Sequence, residues 1–240
     1  MPHRNFDLKE VASYLHIAQA DVQRLVRDRE IPFEKKGDRL VFRRAEVDAW
    51  ASQRILGLSG KPLAEYHKAS SAKVYDLSKD RAIIPDLLKV EHIDAALKSK
   101  TKASVLGDMM ELADSTGHVQ NVAELKKTIH QRELMCSTAL SGGMALLHPH
   151  SHQPYLFDDS FIALGRTIQP IPFGAPDGMA TDIFFMICCQ DDRLHLHVLA
   201  RLCTICHHTG ALLAIREAET AQEIHDALVE AEAEVIRGLG

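Results

Sequence analysis

The sequence lacks any apolar run of membrane length: its longest, Ile183 to Cys189, falls far short of the roughly 20 residues a spanning helix needs. The opening residues, Met1-Pro2-His3-Arg4-Asn5-Phe6-Asp7, hold no apolar signal segment. A cytoplasmic protein with no membrane partner is the expectation. An excess of one charge is also missing: 28 Lys+Arg stand against 33 Asp+Glu, a formal net of −5, which fits neither a basic nucleic-acid coat nor an acidic disordered tail. Cysteine is scarce and odd in number, with five residues, so free thiols are expected in place of a disulfide framework. No unit recurs at a fixed period, which removes solenoid architectures. What is present is 240 residues, 46% hydrophobic and 25% charged, enough to bury a core without staples, together with 14 histidines.

The mean charge conceals two unlike parts. Through Arg54 there are 11 Lys+Arg against 9 Asp+Glu, a net of +2; beyond it 17 stand against 24, a net of −7. Between them, Leu56 to Ala82 contains Gly57, Gly60, Pro62 and Ser70-Ser71 without a sustained apolar period, and reads as a linker with a short helix around Leu63 to Lys68. The expected division is a head over residues 1–55, a linker over 56–82 and a larger domain over 83–240.

In the head, Leu8, Val11, Ala12 and Leu15 form the stripe of a short amphipathic helix, and Val22, Leu25 and Val26 repeat it after a break at His16 to Ala20. Ile31-Pro32 opens an extended stretch, and Lys35-Lys36-Gly37-Asp38 turns between Phe33 and the run Leu40-Val41-Phe42, a small hairpin. Arg43 to Trp50 returns to helical spacing. This order is the layout of a compact DNA-reading unit of small α+β fold. Phe6 to Leu15, Val22 to Arg27, Ile31-Pro32 and Arg43 to Trp50 resemble the excisionase and MerR-type winged helix-turn-helix modules. The resemblance implies that Gln23, Arg24 and Arg27 face DNA from the second helix, with Lys35, Lys36 and Arg39 near phosphates on the wing. The alternative is a protein-docking unit with solvated Arg24 and Arg27, since Asp21 and Asp28 flank the helix. One small reading head seldom reaches useful specificity, so a homodimer or a second anchor is expected.

From Ile84 onward helices and strands alternate. Val105, Met109 and Leu112 share a helical face; Asn121-Val122-Ala123-Glu124 and Thr220-Ala221-Gln222-Glu223 are capping-box signals for two more helices. Phe161-Ile162-Ala163-Leu164 and Ile183 to Cys189 read as strands buried on both faces, which helices must then cover. Arg132 to His148 holds hydroxyls, the pair Gly142-Gly143 whose amides could approach an anion, and a histidine after an apolar stretch. With Ala163-Leu164-Gly165-Arg166, Phe173 to Gly178, Asp182 before an apolar strand and His195-Leu196 opening a Leu-rich helix, this region resembles the phosphotransferase-system IIA domains of the fructose, mannitol and nitrogen-regulatory type.

That resemblance implies an α/β domain with a mixed sheet covered by helices on both faces. It also implies that His148 accepts a phosphoryl group from the general phosphocarrier protein, with His195 beside it, without a cofactor. Neutral imidazole is a good nucleophile near pH 7, and alignment with oxyanion donors lowers the barrier. Ser137, Thr138, the Gly142-Gly143 backbone and His195 are the candidate donors, with Arg132 holding the loop or adding positive field. The pattern departs from the family at Leu147, where Pro usually precedes the active His, and at His150, where Arg is frequent; His150 supplies charge only when protonated. The reading is therefore a regulator with a DNA-binding head and a phosphohistidine domain. Its alternatives are a carrier that passes phosphate to a separate IIB protein and a docking module that is not phosphorylated. Two competing readings stand lower: zinc on His148, His150 and His152, and haem on Cys203-Thr204-Ile205-Cys206-His207, whose cysteines also fit a buried helical stripe.

Overall fold

The computed structural model describes residues 5–37, 39–58, 62–63, 81–150 and 154–238. Among them no single helix is long and apolar enough to cross a membrane. The helix expected around Leu63 to Lys68 lies outside the described residues except for Leu63, which is buried.

Asp7 starts the head by a reciprocal cap: its carboxylate accepts the Glu10 amide, and the Glu10 carboxylate accepts the Asp7 amide. Helix α1 (Leu8–Tyr14) buries Val11 and Ala12 of the expected stripe, with Leu15 just beyond it, and also Tyr14; α2 (Gln19–Arg27) buries Val22 and Leu25, while Leu8 and Val26 are half-buried. The wing is larger than expected. Strands β2 (Glu34–Lys36) and β3 (Arg39–Arg43) form the hairpin, and β1 (Asn5–Phe6) adds a third antiparallel strand on β3. Helix α3 (Arg44–Leu56) runs past Trp50 because Ala51, Ser52, Ile55 and Leu56 are all buried, and it packs against a helix of the second domain.

The second domain is built on a five-stranded mixed sheet in the order β4-β7-β8-β6-β5. Its strands are β4 (Leu88–Leu97), β5 (Ala139–Leu140), β6 (Met144–Leu147), β7 (Phe161–Ile171) and β8 (Thr181–Cys188). β4 pairs β7 and β6 pairs β8 in parallel, whereas β7 with β8 and β5 with β6 are antiparallel. Side chains alternate between two cores, as a pleat requires: Leu146 and Phe185 enter one, Ala145, Leu147, Phe184 and Met186 the other. The second core is roofed by α5 (Lys102–Ser115) and α6 (Val122–Met135), the first by α7 (Asp192–His208), α8 (Ala211–Glu217) and α9 (Ala221–Gly238). The short helix α4 (Ile84–Leu87) is pinned at its start by Glu232 of α9, whose carboxylate accepts the amides of Ile83 and Ile84 and pairs with Arg201 of α7 at 3.0 Å. The first core continues into the head through Ile55 and Leu56.

Candidate functional site

Strands β6 and β8 are parallel, so their C-terminal ends open on the same edge of the sheet, where α/β folds gather their chemistry. His148 is the first residue after β6. Beyond β8 the chain turns at Cys189-Gln190, and Asp191 caps α7 by accepting the amides of Arg193 and Leu194. This places His195 in the first turns of a 17-residue helix, with its ring centroid 5.1 Å from that of His148. Both rings are buried, each 1% exposed. The N-terminal end of a long helix favours negative charge.

The His148 tautomer follows from its neighbours. Nδ1 lies 2.8 Å from the Leu146 carbonyl, which can only accept, so Nδ1 carries the proton. Nε2 then holds the lone pair, and it accepts the Nε–H of Arg132 at 3.0 Å. Arg132 comes from the last turn of α6 and is 2% exposed; its Nη1 donates to the Cys136 carbonyl and thiol. Its Nη2 is buried and has no hydrogen-bond partner among the described residues. An enclosed guanidinium with an unspent donor beside an imidazole lone pair is chemically a receptor for a small oxyanion.

Of the other predicted donors, Ser137 and Thr138 do reach this end of the sheet, but their hydroxyl protons are engaged. Ser137 donates to the Phe173 carbonyl at 2.7 Å, and Thr138 to Glu133 at 2.8 Å; Glu133 is further held by Lys102. The expected Gly142-Gly143 cradle is corrected. These glycines, at φ of 91° and 83°, turn the chain between β5 and β6, one strand length (about 16 Å) from His148. The Gly142 amide binds Asp177, whose carboxyl is held below its usual range by the amides of Met179 and Gly142; Arg216 ties the Gly142 carbonyl to Asp182. His150 is half-buried, its amide on the Thr128 carbonyl one turn before Arg132, and its buried Nδ1 has no hydrogen-bond partner among the described residues.

Leu147 explains one departure. It pairs with Met186 and fills the core under α5 and α6, so β6 continues without interruption up to His148. His152 lies outside the described residues, and among those described no three His, Cys, Asp or Glu could hold a metal. Cys203 and Cys206 are buried on α7, and burial pushes the Cys203 thiol up to about 12 and that of Cys206 further, as core thiols. Sequence reasoning missed Cys136, the Leu146 carbonyl and Ser52. Ser52 stands on α3 of the head, with its Oγ 3.4 Å from His195 Nε2.

In the head, Gln23, Arg24 and Arg27 are exposed on α2, opposite Val22 and Leu25. Arg24 pairs with Asp21 at 3.1 Å and Arg27 with Asp28 at 3.3 Å, exposed contacts of little strength. Lys36 and Arg39 face each other across the wing tip at Gly37 and border an open groove with Gln19; Lys35 is exposed on β2.

Comparison with known proteins agrees with both parts. The family model for the phosphoenolpyruvate-dependent sugar phosphotransferase system, EIIA 2, matches residues 86–231, and a helix-turn-helix domain model matches residues 6–55. The PTS system fructose-specific EIIABC component of Bacillus subtilis is 30% identical over 145 residues, which are 60% of this chain and only 22% of that protein. The nitrogen regulatory protein IIA-Ntr from Neisseria meningitidis shares the fold, with a TM-score of 0.56 at 22% identity over 61% of this chain and 99% of that one. So does enzyme IIAMTL of Escherichia coli, solved with phosphorylated enzyme IIBMTL, with a TM-score of 0.51 at 16% identity over 60% and 99% of the two chains. The chain therefore belongs to the phosphotransferase-system EIIA 2 family and carries a helix-turn-helix domain ahead of the EIIA 2 region.

Proposed function

We propose that this chain is a phosphotransferase-linked, DNA-binding regulator of the cytoplasm, whose IIA domain takes a phosphoryl group onto Nε2 of His148 from the phosphohistidine of the general phosphocarrier protein. One observation carries the reading: Nε2 presents its lone pair to a buried guanidinium whose Nη2 has no partner among the described residues. In the transfer, the bond from Nε2 to phosphorus forms as the donor's nitrogen–phosphorus bond breaks. The His148 Nδ1 proton stays on the ring, facing the Leu146 carbonyl, and the donor imidazole leaves with its own. Arg132 gives up Nε2 and turns its donors to the phosphoryl oxygens, where fixed charge counts most. His195 stands beside the oxygens, and His150 adds a cation when protonated. Ser137 and Thr138 hold the loop through Phe173 and Glu133.

The head reads DNA through Gln23, Arg24 and Arg27, with Lys35, Lys36 and Arg39 on phosphates, and residues 1–55, 56–82 and 83–240 serve as head, linker and acceptor. A second copy would supply the second half-site. A separate reading, onward transfer to a IIB protein, draws on the Escherichia coli relative found with its phosphorylated IIB partner.

The test is incubation of the full chain with labelled phosphoenolpyruvate and the general phosphotransfer proteins. The wild type takes up label and His148→Ala takes up none; no label on the wild type, or equal label on both, overturns the reading. Selection from random duplexes tests the head, with an enriched sequence and salt-dependent binding expected.

A further inference from the structure

The helix that closes the head is seated on the helix that carries His195. Ser52 of α3 meets the His195 ring, Arg44 at the start of α3 forms an ion pair with Asp192 in the first turn of α7, and Ile55 and Leu56 join the core beneath α7. Ser52 and His195 are each 1% exposed, as is the neighbouring His148. A protein donor must bring its phosphorus to within about 3–3.5 Å of Nε2. With α3 in place, the His195 side of that approach is covered. A phosphoryl group on Nε2 would likewise need room for three oxygens where the two histidine rings already stand 5.1 Å apart.

Resting on the phosphoacceptor reading, we infer that α3 of the head and the phosphoryl donor compete for one surface, the His148–His195 edge of the IIA domain. The docked head keeps the acceptor closed, and phosphoryl on His148 holds the head off. Chain length allows the exchange. The 17 residues between Leu63 and Arg81 can span up to roughly 60 Å when extended. The contact uses α3, whereas the candidate DNA residues lie on α2, β2 and β3, so releasing the head frees its position without consuming its reading face. Binding linkage makes the effect reciprocal: whatever stabilises the docked head slows phosphorylation, and phosphorylation weakens docking.

The experiment follows the initial rate of His148 labelling by the general phosphocarrier protein in the full chain, with circular dichroism to confirm that each variant is folded. Arg44→Glu sets like charges against Asp192, and Ser52→Trp wedges the contact by bulk. Each is expected to label roughly tenfold faster than the wild type or more. Adding Asp192→Arg to Arg44→Glu restores an ion pair and returns the rate toward that of the wild type. Emission from Trp50, the only tryptophan in the chain and part of α3, is expected to change as label accumulates. Labelling at the wild-type rate in every variant overturns the competition and leaves the acceptor reading standing. No label on any chain overturns the acceptor reading and the competition with it.

Discussion

Arg132 holds a guanidinium cation at 2% exposure. Arg132 spends Nε on His148 and Nη1 on Cys136, and it faces no carboxylate within ion-pair distance among the described residues. Its excess positive charge is thus held ready beside the nucleophile. Replacing it with lysine keeps the charge but loses the planar fork. Arg132→Lys is expected to slow labelling of His148 roughly 100-fold, as loss of an oxyanion donor does. Melting temperature, measured in parallel, separates this from loss of the fold. The placement of His195 beside His148 was legible in the sequence, and the structure brings Arg132 to the same point. The roles of the neighbouring residues were not legible. Ser137 and Thr138 lie near the site, but only the positions of Phe173 and Glu133 reveal where their hydroxyls point. The Gly142-Gly143 pair reads equally well as an anion cradle or a hairpin turn until β5 is known to pair with β6.

Elements with one clear period were read correctly, and those set by partners were not. Strand β8 is a continuous apolar run and was expected, as were the helices with capping signals, α6 and α9. Strand β4 was missed. Its register against β7 shifts between Leu88 and Ile93, so His92 and Ile93 are buried in succession and the two-residue alternation breaks. The end of α3 was missed for a different reason: Ala51, Ser52 and Ile55 owe their burial to packing that no local pattern encodes. On β7, Gly165 lets α5 and the end of β4 close in. A Cβ there would stand 2.3 Å from Leu97 Cδ1 and 2.5 Å from Met109 Sδ. Gly165→Ala is expected to cost about 1–3 kcal/mol by overpacking, read as a lower midpoint in urea with an unchanged slope.

At the scale of the whole molecule, the +2 head shares one continuous core with the rest of the chain, which is net −7, and their contact also gathers histidine. His197 on α7 is 1% exposed, and burial, with Arg201 and His16 nearby, lowers it to about 3. Burial also lowers His92 and His207. A histidine that resists protonation when folded but accepts it when unfolded makes stability rise with pH, so stability is lost as pH falls below about 6.5. From pH 7 to pH 5, His197 alone accounts for about 2 kcal/mol of loss. Glu232, raised by burial, works in the opposite direction and softens the slope. Thermal melting is expected to fall across this interval, and His197→Leu, which cannot take the proton, to flatten the fall. An unchanged slope in that variant would remove His197 as its source.

The central claim is that one nitrogen, Nε2 of His148, receives the phosphoryl group. Nuclear magnetic resonance of the full chain, labelled with ¹⁵N-histidine and phosphorylated by the general phosphotransfer proteins, reads this directly. The account predicts a single phosphorylated ring, substituted at Nε2 and absent in His148→Ala. Phosphorylation at Nδ1, on another histidine or on none would contradict it.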